Sequence, residues 1–452
     1  MPTNIDERTS LKVARETAVL AAVHLPESRF DPADPLGELR ALAESAGATV
    51  VAELTQKKDR PEAGTYMGAG KVEELKRLCE LQGAGMVIFD HDLSPSQIGN
   101  IEKVIERKVI DRSELILDIF ANRATTKQAR LQVELAQLEY TYPRLKAMWS
   151  HLERIVGSGG IGGIGTRGPG EQQIEIDRRL VQKRRNQLQR ELEDIQTRKR
   201  REVTARKRDH FTVGLVGYTN AGKSTLFNRL TEGGAYADDR LFATLTTRTR
   251  AWDLGGGETA LLSDTVGFVR DLPAHLVASF KATLDETVHA DLLLIVLDVS
   301  DPAARLHYET VMATLDDLFA KERVAAERSG DEWTEPRCAL LLNKVDKLRD
   351  NVETLLWRAE VEDAAEISAS ALTEAQEHEL TELVRRAMLG EVRERLLTLP
   401  MSESRVVSSI ERGGEVLDRV YENGSVTLRV RIGDRQLDRL VASGARLSVG
   451  DA

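Results

Sequence analysis

The sequence predicts a multidomain α/β protein. We expect a domain with a parallel β-sheet, preceded by a small α/β domain and an antiparallel helical hairpin, and followed by a small α+β domain. The chain has 452 residues, which is too long for a single ordinary hydrophobic core. Short apolar runs alternate with helical patterns in two separate stretches of the chain, and a leucine heptad lies between those stretches.

The first domain is predicted at residues 1–124. Apolar runs at Val19–Leu25, Thr49–Leu54 and Gly85–Asp90 are typical of strands, and the periodicity of Leu36–Ala46 and Lys71–Leu81 is helical. Because strands that alternate with helices are joined by crossover connections, this pattern favours a parallel sheet.

The helical hairpin is predicted at residues 125–208. Leu131, Leu135 and Leu138 begin a heptad seam, and a second helical pattern follows a glycine-rich stretch at residues 157–170. Two such helices joined by one loop form an antiparallel hairpin, and the glycine-rich loop is its exposed tip. The second helix is rich in arginine and lysine, which attract phosphate groups of any sequence.

Composition narrows the classes of function. Aromatic residues make up 4% of the chain, which argues against a nucleic-acid binder built on base stacking. The net charge is −10, so an attraction to polyanions must come from a local basic patch. The first residues, MPTNIDERTS, contain no apolar region, so we expect no signal peptide. The longest apolar run is Leu292–Leu297, and Cys79 and Cys338 have no metal-binding spacing. We therefore expect a cytoplasmic protein without a membrane span. We also expect a monomer.

The third domain, at residues 209–395, contains a phosphate-binding pattern directly after an apolar strand. Its sequence GYTNAGKST fits G-x-x-x-x-G-K-[ST], in which glycines let backbone N–H groups surround the phosphates. The lysine reaches the β- and γ-phosphates, the serine hydroxyl binds Mg²⁺, and the following helix points its N-terminus at the anion. The predicted nucleotide-binding residues of this loop are Gly217, Tyr218, Thr219, Asn220, Ala221, Gly222, Lys223, Ser224 and Thr225.

Two further segments are predicted to contact the γ-phosphate and Mg²⁺. Asp264 would hold Mg²⁺ through water, and the N–H of Gly267 would contact the γ-phosphate. The other segment lies between Lys223 and Asp264. There Thr244 is the best candidate for the second Mg²⁺ ligand, with Thr246 and Thr247 as alternatives. We expect Lys223, Thr244 and Gly267 to be catalytic. The residues predicted here to line the nucleotide are Phe242, Ala243, Thr244, Leu245, Thr246, Asp264, Thr265, Val266 and Gly267.

Base recognition is predicted at Asn343–Asp346. The Asp346 carboxylate can accept hydrogen bonds from the N1–H and 2-amino groups of guanine, whereas adenine has neither donor, so a site with unpaired acceptors rejects it. Asn343 would contact the base and join loops, and the Lys344 stem would cover the ring. Together the motifs predict a P-loop GTPase domain. The remaining residues predicted around the base are Lys344, Val345, Ser368, Ala369 and Ser370.

Two loop residues bear on hydrolysis. Phe268 stands where many Ras-like GTPases have a glutamine that orients the attacking water, and phenylalanine cannot do this. Asn220 is the residue type that helps to hold K⁺ in cation-dependent GTPases, although it could instead only stabilise the loop. We therefore expect slow basal hydrolysis that K⁺ or a partner accelerates, with Mg²⁺ as the main cofactor.

The sequence resembles the HflX family of ribosome-associated GTPases over residues 19–391. The resemblance depends on Tyr66–Leu75, Asp111–Arg123, Leu131–Leu138, Gly168-Pro-Gly-Glu171 with Asp177-Arg-Arg179, and Phe242–Leu245. The chain departs from the family at Gln172, where threonine is usual, and at Thr246, where aspartate is usual.

The resemblance implies a partner and an action. HflX-like proteins bind the large ribosomal subunit, split stalled or idle ribosomes under stress, contact ribosomal RNA through the N-terminal domain and hairpin loop, and hydrolyse GTP faster on ribosomes. Glycines at the tip would allow close approach to RNA. The predicted RNA-binding residues are Gly163, Arg167, Gly168, Gly170, Arg178, Arg179, Lys183 and Arg184.

Two other functions fit the sequence. The first is an RNA-binding anti-association factor in which the nucleotide, GTP or GDP, only locks the conformation. The second is a P-loop ATPase that acts on RNA, against which Asn343 and Asp346 argue. The fourth domain, predicted at residues 396–452, gives no indication of function.

Overall fold

The computed structural model describes residues 16–157, 179–198, 210–231, 247–255, 258–270, 287–330, 333–361, 364–422, 424–442 and 444–451, with the backbone alone at 143–157, 412, 439, 442 and 451. These residues group into two compact units. The first takes in residues 16–157, 179–198 and 269–270, and the second takes in the rest. The division of the chain into four domains remains a prediction.

The first unit begins with a four-stranded sheet and its helices. The elements are β1 (Thr17–His24), α1 (Gly37–Ser45), β2 (Thr49–Lys57), α2 (Ala69–Gln82), β3 (Met86–Phe89), α3 (Pro95–Ile105), β4 (Lys108–Ile110) and α4 (Arg112–Arg123). All pairs are parallel, in the order β2-β1-β3-β4. β3 is buried along its whole length, as expected for a strand covered on both faces. Ser94 starts α3 with a capping box to Gln97, which satisfies amide groups at the helix start.

Two long helices complete the first unit, α5 (Lys127–Gly157) and α6 (residues 179–198). Leu131 and Leu135 of α5 pack with Leu188 and Leu192 of α6, which are positions that the heptad predicts to face a partner. The predicted glycine-rich tip falls on residues 158–178, outside the described part of the chain.

The second unit contains a six-stranded sheet. Its elements are β5 (Phe211–Gly217), α7 (Lys223–Leu230), β6 (Arg248–Gly255), β7 (Glu258–Asp264), β8 (Leu292–Asp298), α8 (Ala304–Ser329), β9 (Arg337–Asn343), a 3₁₀ turn (Val345–Lys347), α9 (Val352–Glu360), β10 (Ala364–Glu366) and α10 (Glu374–Leu389). The order is β10-β9-β8-β5-β7-β6, and only the edge strand β6 pairs antiparallel. The parallel sheet that the sequence predicts is therefore confirmed. Its core includes Leu215, Leu226, Trp252, Leu294 and Leu341.

The last part of the second unit is an antiparallel sheet with two helices. Its elements are β11 (Val392–Pro400), α11 (Ser404–Gly413), β12 (Glu415–Glu422), β13 (Ser425–Gly433), α12 (Asp434–Ala442) and β14 (Ser448–Asp451). The strand order is β12-β13-β11-β14. Leu397, Leu428, Ile410 and Leu437 contribute to its separate core. Within the described ranges, no helix of either unit combines the length and hydrophobicity that a membrane crossing requires.

Candidate nucleotide site

The candidate site lies at the carboxyl end of β5, in the middle of the six-stranded sheet. The loop 217–224 leaves the strand here and enters α7, so the N-terminus of that helix faces the loop. A second segment pairs with the loop: the Phe268 N–H donates to the Gly217 carbonyl at 3.0 Å, and the Thr219 N–H donates to the Phe268 carbonyl at 2.8 Å. The predicted loop and the segment after Asp264 are therefore joined by their backbones.

Two glycines are required by close approach. Gly222 has φ +101°, and a Cβ there would lie 2.3 Å from Asn343 Nδ2. A Cβ on Gly267 would lie 2.9 Å from Lys223 Nζ and 2.9 Å from both Cα and Cγ2 of Thr219. A side chain at position 222 would collide with Asn343 and strain the backbone, and one at position 267 would fill the space beside Lys223, so both positions need glycine.

Lys223 is a buried cation at the centre of the site. Its residue is 6% exposed, and its Nζ donates to the carbonyls of Tyr218 at 2.7 Å and Gly217 at 3.1 Å. Burial lowers the pKa of Lys223 to about 8, against an opposing effect of the Asp264 carboxylate. Anionic phosphates next to this ammonium would favour its charged form, so the geometry suits a phosphate ligand.

Ser224 and Asp264 form a hydrogen-bonded pair of side-chain oxygens beside the phosphate loop. The Ser224 hydroxyl donates to Asp264 Oδ2 at 2.8 Å. No cluster of three or more His, Cys, Asp or Glu suited to a metal is found among the described residues. Mg²⁺ is commonly held by one or two protein oxygens, with phosphates and waters completing its shell, so this pair fits that ion.

Asn343 joins the segments that are predicted to surround the base. It is 1% exposed, and its Nδ2 donates to the Ala221 carbonyl at 2.6 Å. Its Oδ1 accepts from the Ala369 N–H at 2.9 Å. Ser368 and Ala369 are buried, and Ser370 is exposed. One amide side chain thus connects the phosphate loop with the segment after β10.

Lys344 and Asp346 follow at the end of β9. Lys344 has φ +63°, and its Nζ contacts Asp298 Oδ2 at 2.5 Å and the Asn220 carbonyl at 3.0 Å. Asp346 lies in the 3₁₀ turn with Val345 and is exposed, so its carboxylate is accessible to a base. Asn220 also has a left-handed backbone, at φ +62°, a conformation in which asparagine is enriched.

The remaining loop residues have mainly structural contacts. The Thr265 hydroxyl donates to the Leu215 carbonyl at 2.6 Å, and Ala221 and Val266 are buried. Thr225 is half-buried in the first turn of α7. The five residues Phe242, Ala243, Thr244, Leu245 and Thr246 lie outside the described residues.

Sequence reasoning missed two partners of the site. Asp298 ends β8 and pairs with Lys344, and its place after the apolar run Leu292–Leu297 was a usable signal. Tyr218 stacks on His307 of α8, with ring centroids 3.9 Å apart. Nothing in the local sequence around either ring indicates this stacking.

The predicted RNA-binding residues are only partly described. Arg179 and Lys183 are exposed on α6. Arg184 makes a bidentate ion pair with Glu134 of α5, at 2.7 and 2.8 Å, so its charge is largely neutralised within the helix pair. Gly163, Arg167, Gly168, Gly170 and Arg178 lie outside the described residues.

Family models match most of the chain. One described as "GTP-binding GTPase N-terminal" matches residues 33–121, and one described as "GTP-binding GTPase Middle Region" matches residues 123–208. A third, described as "50S ribosome-binding GTPase", matches residues 212–344.

Individual proteins are also similar to this chain. A solved GTP-binding protein from Sulfolobus solfataricus in complex with GDP is 25% identical, with a TM-score of 0.42, and covers 82% of this chain and 99% of its own. The GTPase HflX of Lacrimispora saccharolytica is 45% identical over 322 residues, which are 70% of this chain and 74% of that protein. The GTPase HflX of Escherichia coli is 41% identical over 421 residues, which are 93% of this chain and 94% of that protein. The chain therefore belongs to the HflX family, and it is a GTPase that hydrolyses GTP to GDP and phosphate.

Proposed function

We propose that this GTPase binds the large ribosomal subunit and splits or rescues ribosomes under stress. The main support is the match of residues 212–344 to a family model described as a 50S ribosome-binding GTPase. The exposed Arg179 and Lys183 on α6 add local positive charge for RNA phosphates, on a chain whose net charge is −10. On this proposal the protein works as a monomer in the cytoplasm, where ribosomes are found.

We propose the following roles in the site. Lys223 binds the β- and γ-phosphates, Ser224 and Thr244 bind Mg²⁺, and Gly267 contacts the γ-phosphate through its N–H. Asp346 recognises guanine. Asn343 supports this assignment, because it connects the phosphate loop to the Ser368–Ser370 segment through two hydrogen bonds of its side chain.

Asp346→Asn tests base recognition. The amide can donate to the 2-oxo group of xanthine, which replaces the 2-amino group of guanine, so we expect GTP affinity to fall roughly 100-fold or more and XTP affinity to rise. Titration calorimetry with both nucleotides measures this exchange. Asp350→Asn is the matched control, because Asp350 is an exposed aspartate nearby in sequence. Unchanged GTP affinity in Asp346→Asn would remove the assignment.

Ribosome binding is tested by co-sedimentation with isolated subunits in GTP-analogue, GDP and nucleotide-free states. We expect the strongest binding to the large subunit with the analogue. Replacing residues 157–170 by a short linker should weaken ribosome binding and spare GTP binding. Equal ribosome affinity in both proteins would contradict a role for this loop in binding RNA.

Hydrolysis distinguishes ribosome splitting from the alternative anti-association factor. A variant that binds GTP but cannot hydrolyse it should split ribosomes once and then remain bound. If it splits repeatedly and is released at the normal rate, the nucleotide only locks the conformation and the alternative is correct.

We also propose that K⁺ assists hydrolysis through Asn220. This residue is exposed in the loop, and its carbonyl already accepts from Lys344. Turnover should be faster in K⁺ than in Na⁺ at equal ionic strength, and Asn220→Ala should remove the difference. Equal rates in the two salts would show that Asn220 only stabilises the loop.

A further inference from the structure

Hydrolysis of GTP requires a polar group that holds the attacking water, and Phe268 cannot supply it. Its side chain is apolar and 4% exposed. Its N–H and carbonyl are both used, by the Gly217 carbonyl and the Thr219 N–H. A group other than Phe268 must therefore orient the water.

Thr219 is the third residue of the phosphate loop, and its buried hydroxyl has no evident structural role. The residue is 7% exposed, and among the described residues its Oγ1 has no hydrogen-bond partner. Buried hydroxyls are normally hydrogen-bonded, and an exception calls for an explanation such as a bound water or ligand. By contrast, the buried hydroxyl of Thr265 nearby donates to the Leu215 carbonyl.

The location of Thr219 fits a water or ligand bound at its hydroxyl. Its Cγ2 lies 2.9 Å from the position that a Cβ on Gly267 would occupy, and Lys223 Nζ lies 2.9 Å from the same position. Gly267 and Lys223 are the residues that we assign to the γ-phosphate. The Thr219 N–H is fixed by the Phe268 carbonyl at 2.8 Å, which holds the backbone that positions the hydroxyl.

We propose that the Thr219 hydroxyl is a catalytic group that orients the attacking water. This inference rests on the γ-phosphate position assigned under the proposed function. A hydroxyl both donates and accepts, so Oγ1 can accept a hydrogen bond from the water and direct a lone pair of the water oxygen at phosphorus. The new bond joins that oxygen to phosphorus, and the bond to the β–γ bridging oxygen breaks. GDP leaves with the bonding electron pair, and the water proton passes to the released phosphate, so threonine is unchanged.

Three substitutions separate this role from a structural one. Thr219→Val keeps the shape and the packing against Gly267 but removes the hydroxyl, whereas Thr219→Ser keeps the hydroxyl. Thr314→Val removes a helix hydroxyl that bonds the Thr310 carbonyl, and is the matched control. Each protein is checked by thermal melting, and single-turnover hydrolysis is measured with and without large ribosomal subunits.

We expect Thr219→Val to hydrolyse GTP roughly 10- to 100-fold more slowly, with Thr219→Ser within about threefold of the parent. The affinity of Thr219→Val for GDP and for a non-hydrolysable GTP analogue should be unchanged. Its affinity for GDP with aluminium fluoride, which imitates the transition state, should fall by the same factor as the rate.

Two results would overturn the inference. The first is a normal hydrolysis rate in Thr219→Val. The second is a loss of analogue affinity as large as the loss of rate, because the hydroxyl would then be a ground-state phosphate ligand. Failure of the parent protein to bind the analogue at all would instead contradict the assigned nucleotide site.

Discussion

The two parallel sheets of this protein place polar residues at the same structural position, the carboxyl ends of their strands, with different results. In the second unit, Lys223 donates to two main-chain carbonyls and the Ser224 hydroxyl donates to Asp264, so a buried cation is available to an external anion. In the first unit, the residues at this edge neutralise one another. The position in the fold is therefore not sufficient to make a ligand site.

At the carboxyl edge of the sheet in the first unit, two arginines and two carboxylates form a cluster, which we call the closed cluster. Asp90 follows β3 and accepts from Arg112 at 2.6 Å and from Arg270 at 2.8 Å. Glu38 contacts both arginines. Arg112 is 2% exposed and Asp90 is 5% exposed, so the charges are buried as well as paired. A crevice that other sheets of this type offer to ligands is occupied here by the chain's own side chains.

The largest effect is expected from a substitution that breaks the closed cluster. Arg112→Met leaves the buried Asp90 and the half-buried Glu38 with less compensation, so we expect the first unit to lose about 3–5 kcal/mol of unfolding free energy. Hydrogen exchange of the β3 amides reports this locally. Arg40→Met is the control, because Arg40 is 37% exposed and pairs with Asp34 and Glu53 at the surface, where we expect less than about 1 kcal/mol. Equal losses in the two variants would contradict the distinction between buried and exposed pairs.

The comparison also shows what the sequence could predict. The phosphate loop was predictable because its strand, glycines, lysine and helix start are contiguous, and their roles follow from backbone geometry. The parallel order of β5, β7, β8 and β9 follows from alternating strand and helix patterns. The roles of individual site residues remain predictions.

Contacts between distant residues could not be predicted. Arg270 lies three positions after Gly267 in the sequence, yet it belongs to the first unit and binds Asp90. The stacking of Tyr218 on His307 is also a contact across the fold. A charge or ring in one sequence does not identify its partner, because the partner is chosen by packing.

The second prediction concerns the carboxyl edge of the sheet in the second unit, where Lys223 lies. Lys223→Met should lower GTP affinity roughly 100-fold, equivalent to about 2.7 kcal/mol, because the phosphates lose a buried charge-assisted partner. Unlike Arg112→Met, it should not destabilise the nucleotide-free protein, since removing a buried charge also removes its desolvation penalty. Calorimetry with GTP and thermal melting without it measure the two effects. Lys347→Met, at an exposed lysine, is the control. A large loss of melting temperature in Lys223→Met would mean that this edge is also closed by internal pairing.

The smallest expected effect lies beside the closed cluster, at the end of β1. His24 is 8% exposed and packs against Phe30 with tilted rings whose centroids are 4.0 Å apart. Burial lowers its pKa, with a smaller opposing effect of Asp90 and a lowering effect of Arg270. The unfolded chain therefore takes up a proton at higher pH than the folded chain. The stability that neutral His24 provides is complete above about pH 6.5, and it is lost as the pH falls towards the folded pKa, with a slope of at most about 1.4 kcal/mol per pH unit.

His24→Phe keeps the aromatic contact and removes the titration. Denaturant unfolding of the first unit between pH 7.5 and 5.5 should show a shallower loss of stability in this variant than in the parent, with His378→Phe, at an exposed histidine, for comparison. The difference in slope between the parent and His24→Phe, set against that between the parent and His378→Phe, reports the contribution of His24. Parallel slopes would show that His24 becomes charged beside the cluster without a loss of stability. The carboxyl edge of the first unit could then hold an added charge, although its arginines are paired with carboxylates.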